Sequence, residues 1–398
     1  MRVLISGGGI AGLTLAYWLH TYGITPVVIE QAASIRRDGY GLDFYGTGYD
    51  VAERMGLLER LGERQLPFED VSYVSSSGKT IAHVSATLMQ KIMRQRYMAL
   101  MRWTLQEELY GALANAVEVR YSTTLAAVQA EPDRVAVTFN DGRTDTFDLL
   151  IGTDGVHSNT RRLVFGEDAL FERYLGYYFA SYQIPDRYGI GYAWKNYSEP
   201  NRMAAAYCSN REGSIATFFM YKAANEGYIP HEQRLPRLRR AFAGMGWITQ
   251  QLLDNAPEPD TIFLDTMTQI QMPTWYKGRV ALVGDACGCP TSLSGQGASM
   301  AMGGAYMLAK ALHTLPDHTS AFRQYEQLVR PYVEQRQKNA RTLTKSFLPE
   351  SSLRLIIQHM MIKLLLRDIF SGFLRQQFGA ESLLASQSTH QSDEPLLE

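Results

Sequence analysis

Residues 2–6 read RVLIS, residues 7–9 are three glycines, and residues 11–22 are apolar on nearly every side. Residues 26–30 then read PVVIE. Apolar strand, tight turn, helix and second apolar strand make a βαβ unit that opens a parallel sheet. From Arg134 the chain alternates through RVAVTFNDGRTDTFDLLIGTDG. The alternation breaks at Asn140-Asp141-Gly142, a hairpin signal, and runs on into an apolar strand over residues 147–151. Residues 174 to about 268 change character: YYFASYQI and SIATFFMYK alternate with many aromatics, and a helical patch spans residues 235–253. This predicts a mostly antiparallel sheet with one covered face. RVALVGDA, residues 279–286, returns to buried-strand composition, and a helix follows Gln296.

Near the end, Leu353, Ile356, Ile357, Met360, Leu364 and Leu365 recur at helical spacing. Arg354, His359, Lys363 and Arg367 interrupt the stretch and exclude a plain membrane-spanning helix. Docking against the protein body is expected, with surface attachment to a membrane as the alternative. From Gly379 onward the chain is polar and expected to fray. The fold class expected is α/β. A Rossmann-like dinucleotide-binding domain occupies residues 1–170 and 272–345, and a substrate-binding, antiparallel domain is inserted at 171–271. A C-terminal bridging helix covers 346–378 and a flexible tail 379–398.

Composition narrows the function classes. The 398 residues are 45% hydrophobic and carry a net charge of −1, so electrostatics give no reason to expect nucleic acid as partner. Three cysteines cannot form a disulfide framework, which points to a reducing cytoplasm. The first residues form a strand and turn where an export signal would need a charged stretch and an apolar run. No membrane insertion is expected, and the protein is expected to be a monomer.

The first glycine turn carries chemistry. Gly7, Gly9 and Gly12 fit G-x-G-x-x-G between a strand and a helix. Gly7 permits the turn, Gly9 admits a pyrophosphate, and Gly12 lets helix and strand pack closely. The helix start at Ile10 and Ala11 offers free N–H groups and partial positive charge to phosphates. Glu30 ends the next strand, where a carboxylate accepts from ribose hydroxyls and disfavours a 2′-phosphate. The nucleotide is therefore NAD or FAD. Two further motifs, Asp154-Gly155 with Ser158 and Arg161, and Gly284-Asp285-Ala286, also fall at strand C-terminal ends. An NAD site has no need of the second acid, whereas the ribityl hydroxyls of FAD want a carboxylate acceptor.

These three motifs, in this order, resemble those of the group A flavoprotein monooxygenases, the aromatic hydroxylase family, over nearly the whole chain. By that resemblance Asp285 binds the ribityl chain, and Asp154-Gly155 serves both FAD and NAD(P)H. Arg102, with Leu105 and Leu109 at helical spacing, resembles the family's Arg-x-x-Leu-x-x-x-Leu helix, whose arginine points at the flavin. Arg36 and Arg37 are both candidates for the adenosine side. Pro290 and Gly295-Gln296-Gly297 resemble the segment that passes along the flavin ring, where the helix start favours the negative edge of reduced flavin. Cys287-x-Cys289 lacks the second ligand pair a zinc site needs. A thiol couple is the alternative to small side chains packed beside the flavin. The resemblance implies that NAD(P)H reduces FAD, that O2 adds at flavin C4a, and that the hydroperoxide hydroxylates an electron-rich aromatic or polycyclic substrate. GLDFYGTG, the segment from Thr268 to Gly297 and the added C-terminal helical stretch are most similar to the tetracycline-inactivating, antibiotic-resistance members of the family. A flavin-dependent dehydrogenase without oxygen insertion, and a non-catalytic drug-sequestering flavoprotein, are the competing readings. A halogenase is set aside because no Trp-x-Trp-x-Ile-Pro occurs.

Overall fold

A computed structural model of the chain describes all residues except 38, 68, 94, 292–295, 366–381 and 385–398. The opening βαβ unit comprises strand Arg2–Ser6, helix Ile10–Thr21 and strand Thr25–Ile29. Among the described residues its sheet has six strands, in the order Tyr276–Lys277, Val280–Leu282, Leu149–Gly152, Arg2–Ser6, Thr25–Ile29, Glu118–Arg120. All neighbours pair in parallel except the edge strand Tyr276–Lys277. Both faces of such a sheet are covered, which is why Val3, Leu4, Ile5, Leu149 and Leu150 are all fully buried. The register aligns Ile29, Ser6, Gly152 and Leu282 in one row across four strands. Segments nearly 280 residues apart in sequence therefore end at one edge.

Helix Gly297–Thr314 is apolar almost all round and buried, packed against helix Ile10–Thr21 and followed by helix His318–Phe347. The expected hairpin is present: Gly142 N donates to Phe139 O at 3.0 Å between strands Val135–Phe139 and Thr144–Phe147.

The larger sheet has eight strands among the described residues. Residues 172–270 supply six of them, paired antiparallel. The remaining two are Asp70–Val74 and Thr80–Ser85, and Asp70–Val74 lies parallel to Ala193–Glu199. Nothing in the residue pattern of 70–85 marks those residues as part of this sheet. Their pattern is too polar and too short to choose between partners, so the tertiary contact decides. On one face Tyr178, Tyr182 and Phe219 pack against Leu238, Phe242 and Leu252 of helices His231–Ala241 and Thr249–Asp254. The other face presents Tyr177, Phe179, Met203, Tyr207 and Met220 to a two-stranded ladder, Gly41–Tyr45 with Tyr97–Met101.

Beyond Phe347 the chain fastens to the larger sheet. Leu348 is fully buried, Asn201 N donates to Pro349 O at 3.1 Å, and Lys222 pairs with Glu350 at 2.6 Å. Helix Ser352–Leu365 then rests on strands Thr80–Ser85 and Ala193–Glu199 through the side that holds Leu355 and Gln358. Its apolar stripe was expected to dock inward; instead Leu353, Ile356 and Met360 are 68%, 55% and 57% exposed. Ile357 of the same stripe is 45% exposed, and the side chains of Leu364 and Leu365 lie outside the described residues. The fraying expected from Gly379 does not hold at residues 382–384. Leu383 and Leu384 are buried, and Leu383 N donates to Thr47 Oγ1 at 2.9 Å. An apolar pair finds a core even within a polar tail. No helix of the described residues is long and apolar enough to cross a membrane.

Candidate functional site

The row Ile29, Ser6, Gly152, Leu282 delivers Glu30, Gly7, Thr153 and Val283 to the C-terminal edge of the parallel strands, where open α/β sheets bind ligands. A cavity opens there, bordered by Gly7, Gly9, Glu30, Arg36, Arg102 and Asp154. Glu30 steadies its rim: Oε2 accepts from Gly8 N and Oε1 from Ala32 N, both at 2.8 Å. Each oxygen keeps a lone pair for a further donor. From the opposite side Gln106 Nε2, buried, donates to Gly8 O at 2.8 Å. Sequence reasoning missed Gln106, although it stands one helical turn after Arg102.

The glycines divide into two kinds. Gly7 has φ +115°, and a Cβ there would lie 2.7 Å from the Thr153 backbone. A Cβ on Gly12 would fall 1.9 Å from Gly7 O. Both are glycine because the chain itself leaves no room. Gly9 is different: its φ of −80° suits any residue, and a Cβ would meet nothing closer than Arg102 Nη2 at 3.8 Å. Gly297 has the same freedom, with Asp285 Oδ1 at 3.8 Å as the nearest atom. Helices Ile10–Thr21 and Gly297–Thr314 both begin at these open positions without a side-chain cap. Two helix N-termini without a side-chain cap are suited to an anion and to an electron-rich ring edge. The residues present therefore fit a dinucleotide flavin.

Gly284, at φ +69°, wedges between the helices: its Cβ would lie 3.2 Å from Ala11 Cβ and 3.4 Å from Ala301 Cβ. Asp285 follows. Burial pushes its carboxyl up from the usual range, while the Arg102 cation and the Cys289 thiol pull it back down. Arg102 thus lies within electrostatic reach of Asp285 and beside Gly9, while Leu105 and Leu109 of its helix are fully buried.

Arg36 and Arg37 part company. Arg36 borders the cavity, whereas Arg37 Nε donates to Glu107 at 2.9 Å and its guanidinium lies over Trp103. Asp154 also borders the cavity, but its carboxylate is committed to the protein. It accepts from Ser158 Oγ, and at 2.7 Å from both Thr160 N and Thr160 Oγ1. Burial raises its carboxyl and these donors oppose the rise. Arg161, fully buried, donates to Val156 O, Asp168 and Ala286 O. Pro290 O accepts from Gln269 Nε2 at 3.0 Å, and Gln296 Nε2 donates to Tyr45 OH at 2.8 Å. Gly295 lies outside the described residues.

Cys287 and Cys289 are 2% and 4% exposed. Cys287 Sγ faces Gly284 O at 3.4 Å and Tyr325 OH at 3.8 Å, and burial pushes its thiol up to about 12. Neither geometry nor ionisation suits a reactive couple.

The ladder meets the larger sheet through a shared cluster of buried side chains. Ladder register puts Gly41, Asp43, Tyr45, Tyr97, Ala99 and Met101 on the face that meets the sheet, and Leu42, Phe44 and Leu100 on the other. Asp43 is the one carboxylate among those six residues. It is exposed at that face, and Tyr97 OH donates to it at 2.6 Å. Asp43 was missed in sequence because only strand alternation reveals which way it points.

A row of strand ends, two helix starts without a side-chain cap, and an arginine within electrostatic reach of Asp285 thus gather about one edge of the parallel sheet. The chain belongs to the FAD-binding-domain family, whose pattern it matches over residues 1–346, and with it to the flavin-dependent monooxygenases. A flavin-dependent monooxygenase of Legionella longbeachae serogroup 1 (strain NSW150) is 33% identical over 351 residues, 87% of this chain and 90% of that one. An uncharacterised protein of Mycobacterium tuberculosis (strain ATCC 25618 / H37Rv) is 35% identical over 339 residues, 84% of this chain and 91% of that one. Among solved structures, the tetracycline destructase Tet(55) superposes with a TM-score of 0.82 at 29% identity, covering 96% of this chain and 97% of that one. Klebsiella pneumoniae HpxO, solved with FAD and uric acid, shares the fold with a TM-score of 0.80 at 22% identity, covering 96% and 98%.

Proposed function

We propose that this flavin-dependent monooxygenase uses NAD(P)H and O2 to hydroxylate an aromatic or polycyclic small molecule of the polyketide or tetracycline type. The observation that carries the reading is the pair Gly9 and Gly297. Each stands at a helix start without a side-chain cap, and a Cβ on either would meet nothing closer than 3.8 Å: Arg102 Nη2 at Gly9 and Asp285 Oδ1 at Gly297. Bound FAD would accept a hydride from NAD(P)H and allow one oxygen atom of O2 to reach the substrate, the other leaving as water.

The chain's own residues bind and orient. The N–H groups at Ile10 and Ala11 take the diphosphate, and Glu30 takes the adenosine ribose with Arg36 beside it. Asp285 accepts from the ribityl hydroxyls; each hydrogen bond it gains there offsets its burial. Arg102 balances the charge between diphosphate and ring. Asp154 acts at one remove, by holding the 154–160 turn in shape through Ser158 and Thr160. The substrate is placed where the ladder meets the aromatic face of the larger sheet, beside the exposed Asp43, with Tyr177, Phe179, Met203 and Met220 excluding water. The Tet(55) likeness supports a polycyclic substrate, and the breadth of flavin-dependent relatives leaves simple phenols in the same class.

The test is purification followed by flavin absorbance and NAD(P)H oxidation across a panel of phenols and tetracyclines. Product mass should rise by one oxygen per NAD(P)H consumed. A colourless protein that takes up no FAD overturns the cofactor reading. Turnover of NAD(P)H with no oxygenated product on any member favours the dehydrogenase alternative.

A further inference from the structure

We infer that a cavity bordered by Tyr97 and Ala99 of the ladder is a second recognition subsite for a ring molecule bearing both an acidic and a basic group. The inference rests on the reading above, that ring substrates bind where the ladder meets the larger sheet. The cavity measures about 300 Å³, enough for one ring system with its substituents. Leu66, Tyr97 and Ala99 form its inner wall; Glu69, Tyr192 and Arg211 form its mouth.

Ladder register ties this space to that junction. Tyr97 and Ala99 lie cross-strand from Tyr45 and Asp43, on the face that meets the larger sheet. The Tyr97 hydroxyl donates to Asp43 at 2.6 Å while the residue borders the cavity, so one side chain joins the cavity wall to Asp43. The wall is fixed: Leu66 N donates to Ala99 O, and Glu69 N to Tyr192 O, both at 2.7 Å.

The mouth carries one anion and one cation. Among the described residues neither Glu69 nor Arg211 has a side-chain hydrogen bond or an ion pair, with each other or with any neighbour. Both heads are exposed, and Tyr192, 49% exposed, offers a ring between them and the inner wall. A ligand with an amine and an acid engages both heads through charge-assisted hydrogen bonds and lays its ring on Tyr192. A singly charged ring engages one head, and a neutral ring engages neither.

The test uses the FAD-loaded protein and four probes: phenol, benzoate, benzylamine, and tetracycline, which carries both an acidic enol system and a dimethylamino group. Dissociation constants are read by equilibrium dialysis, independent of turnover. Arg211→Gln should weaken benzoate and tetracycline about tenfold and leave benzylamine and phenol unchanged. Glu69→Gln should weaken benzylamine and tetracycline by the same factor and spare the other two. Both residues are exposed, so FAD content and melting temperature should match the parent. Affinities that ignore the substitutions, that shift equally for all four probes, or that are absent for every probe in the parent protein, overturn the subsite. Charge-selective binding without oxygenated product sinks the monooxygenase reading and leaves the subsite standing.

Discussion

The fully buried guanidinium of Arg161 donates to the carbonyl of Ala286 at 3.0 Å, while the same group pairs with Asp168 at 2.6 Å. It thereby links the turn after strand Leu149–Gly152 to the turn after strand Val280–Leu282. Arg161→Met should cost about 3 kcal/mol of stability by leaving Asp168 and the Ala286 carbonyl without their donor. Chemical denaturation of the FAD-free protein measures this. An unchanged midpoint would show that the two turns hold without the link.

Gly9→Ala and Gly12→Ala should fail differently. The first fits the backbone, so the protein should fold and melt normally while its FAD affinity falls by roughly tenfold to a hundredfold. The second places a methyl 1.9 Å from Gly7 O and should give little soluble protein. Normal FAD uptake by Gly9→Ala would mean that the space before it is not the diphosphate site.

Arg36→Ala should weaken FAD by roughly tenfold through loss of a charge-assisted contact. Arg37→Ala should leave FAD affinity near the parent's. Its partner Glu107 lies in a surface pair whose arginine side chain is 71% exposed, and that pair contributes under about 1 kcal/mol. Fluorescence titration of the two variants side by side decides; equal losses would refute the division of labour.

The Asp285 carboxyl is raised above its ordinary 3.8 by burial in the cofactor-free protein. A raised acid contributes stability that is fully present below about 3.8 and lost as pH rises through the folded-state value. Asp285→Asn should therefore make the FAD-free protein more stable than the parent at neutral pH, with the advantage shrinking as pH falls. The same variant should bind FAD poorly. Melting curves from acid to neutral pH, without FAD, test the sign; a parent that outlasts the variant at neutral pH refutes it.

Cys208, Cys287 and Cys289 are buried and their thiols are raised by desolvation. In the native protein they should react with a disulfide reagent far more slowly than after denaturation, when three equivalents are released. Cys287→Ser combined with Cys289→Ser should retain flavin and turnover. Activity lost with FAD kept would restore a thiol role.

The parts of the site legible in sequence are those fixed by local chemistry. The glycine spacing, the strand that ends at Glu30, and the helix that buries Leu105 and Leu109 each follow from a few adjacent residues. Their meeting at one edge was expected because dinucleotide sheets end that way. What stayed hidden depends on tertiary partners. Gln106 reads as a surface glutamine until Gly8 O is placed beside it. Arg36 and Arg37 are indistinguishable until Glu107 claims one of them. The outward stripe at Leu353, Ile356 and Met360 depends on what the helix packs against, which no periodicity could reveal.

The parallel pairing of Asp70–Val74 with Ala193–Glu199 has a consequence for how the molecule is made. As the chain leaves the ribosome, the hairpin of residues 70–85 must wait, one edge unpaired, until more than a hundred further residues have followed. The parallel sheet waits longer, since Val280–Leu282 joins beside Leu149–Gly152 only after the whole insert is complete. Synthesis therefore finishes the larger sheet first and the cofactor floor second. A chain cut short within the insert would possess the glycine turn and Glu30 yet lack Asp285 and the helix that starts at Gly297.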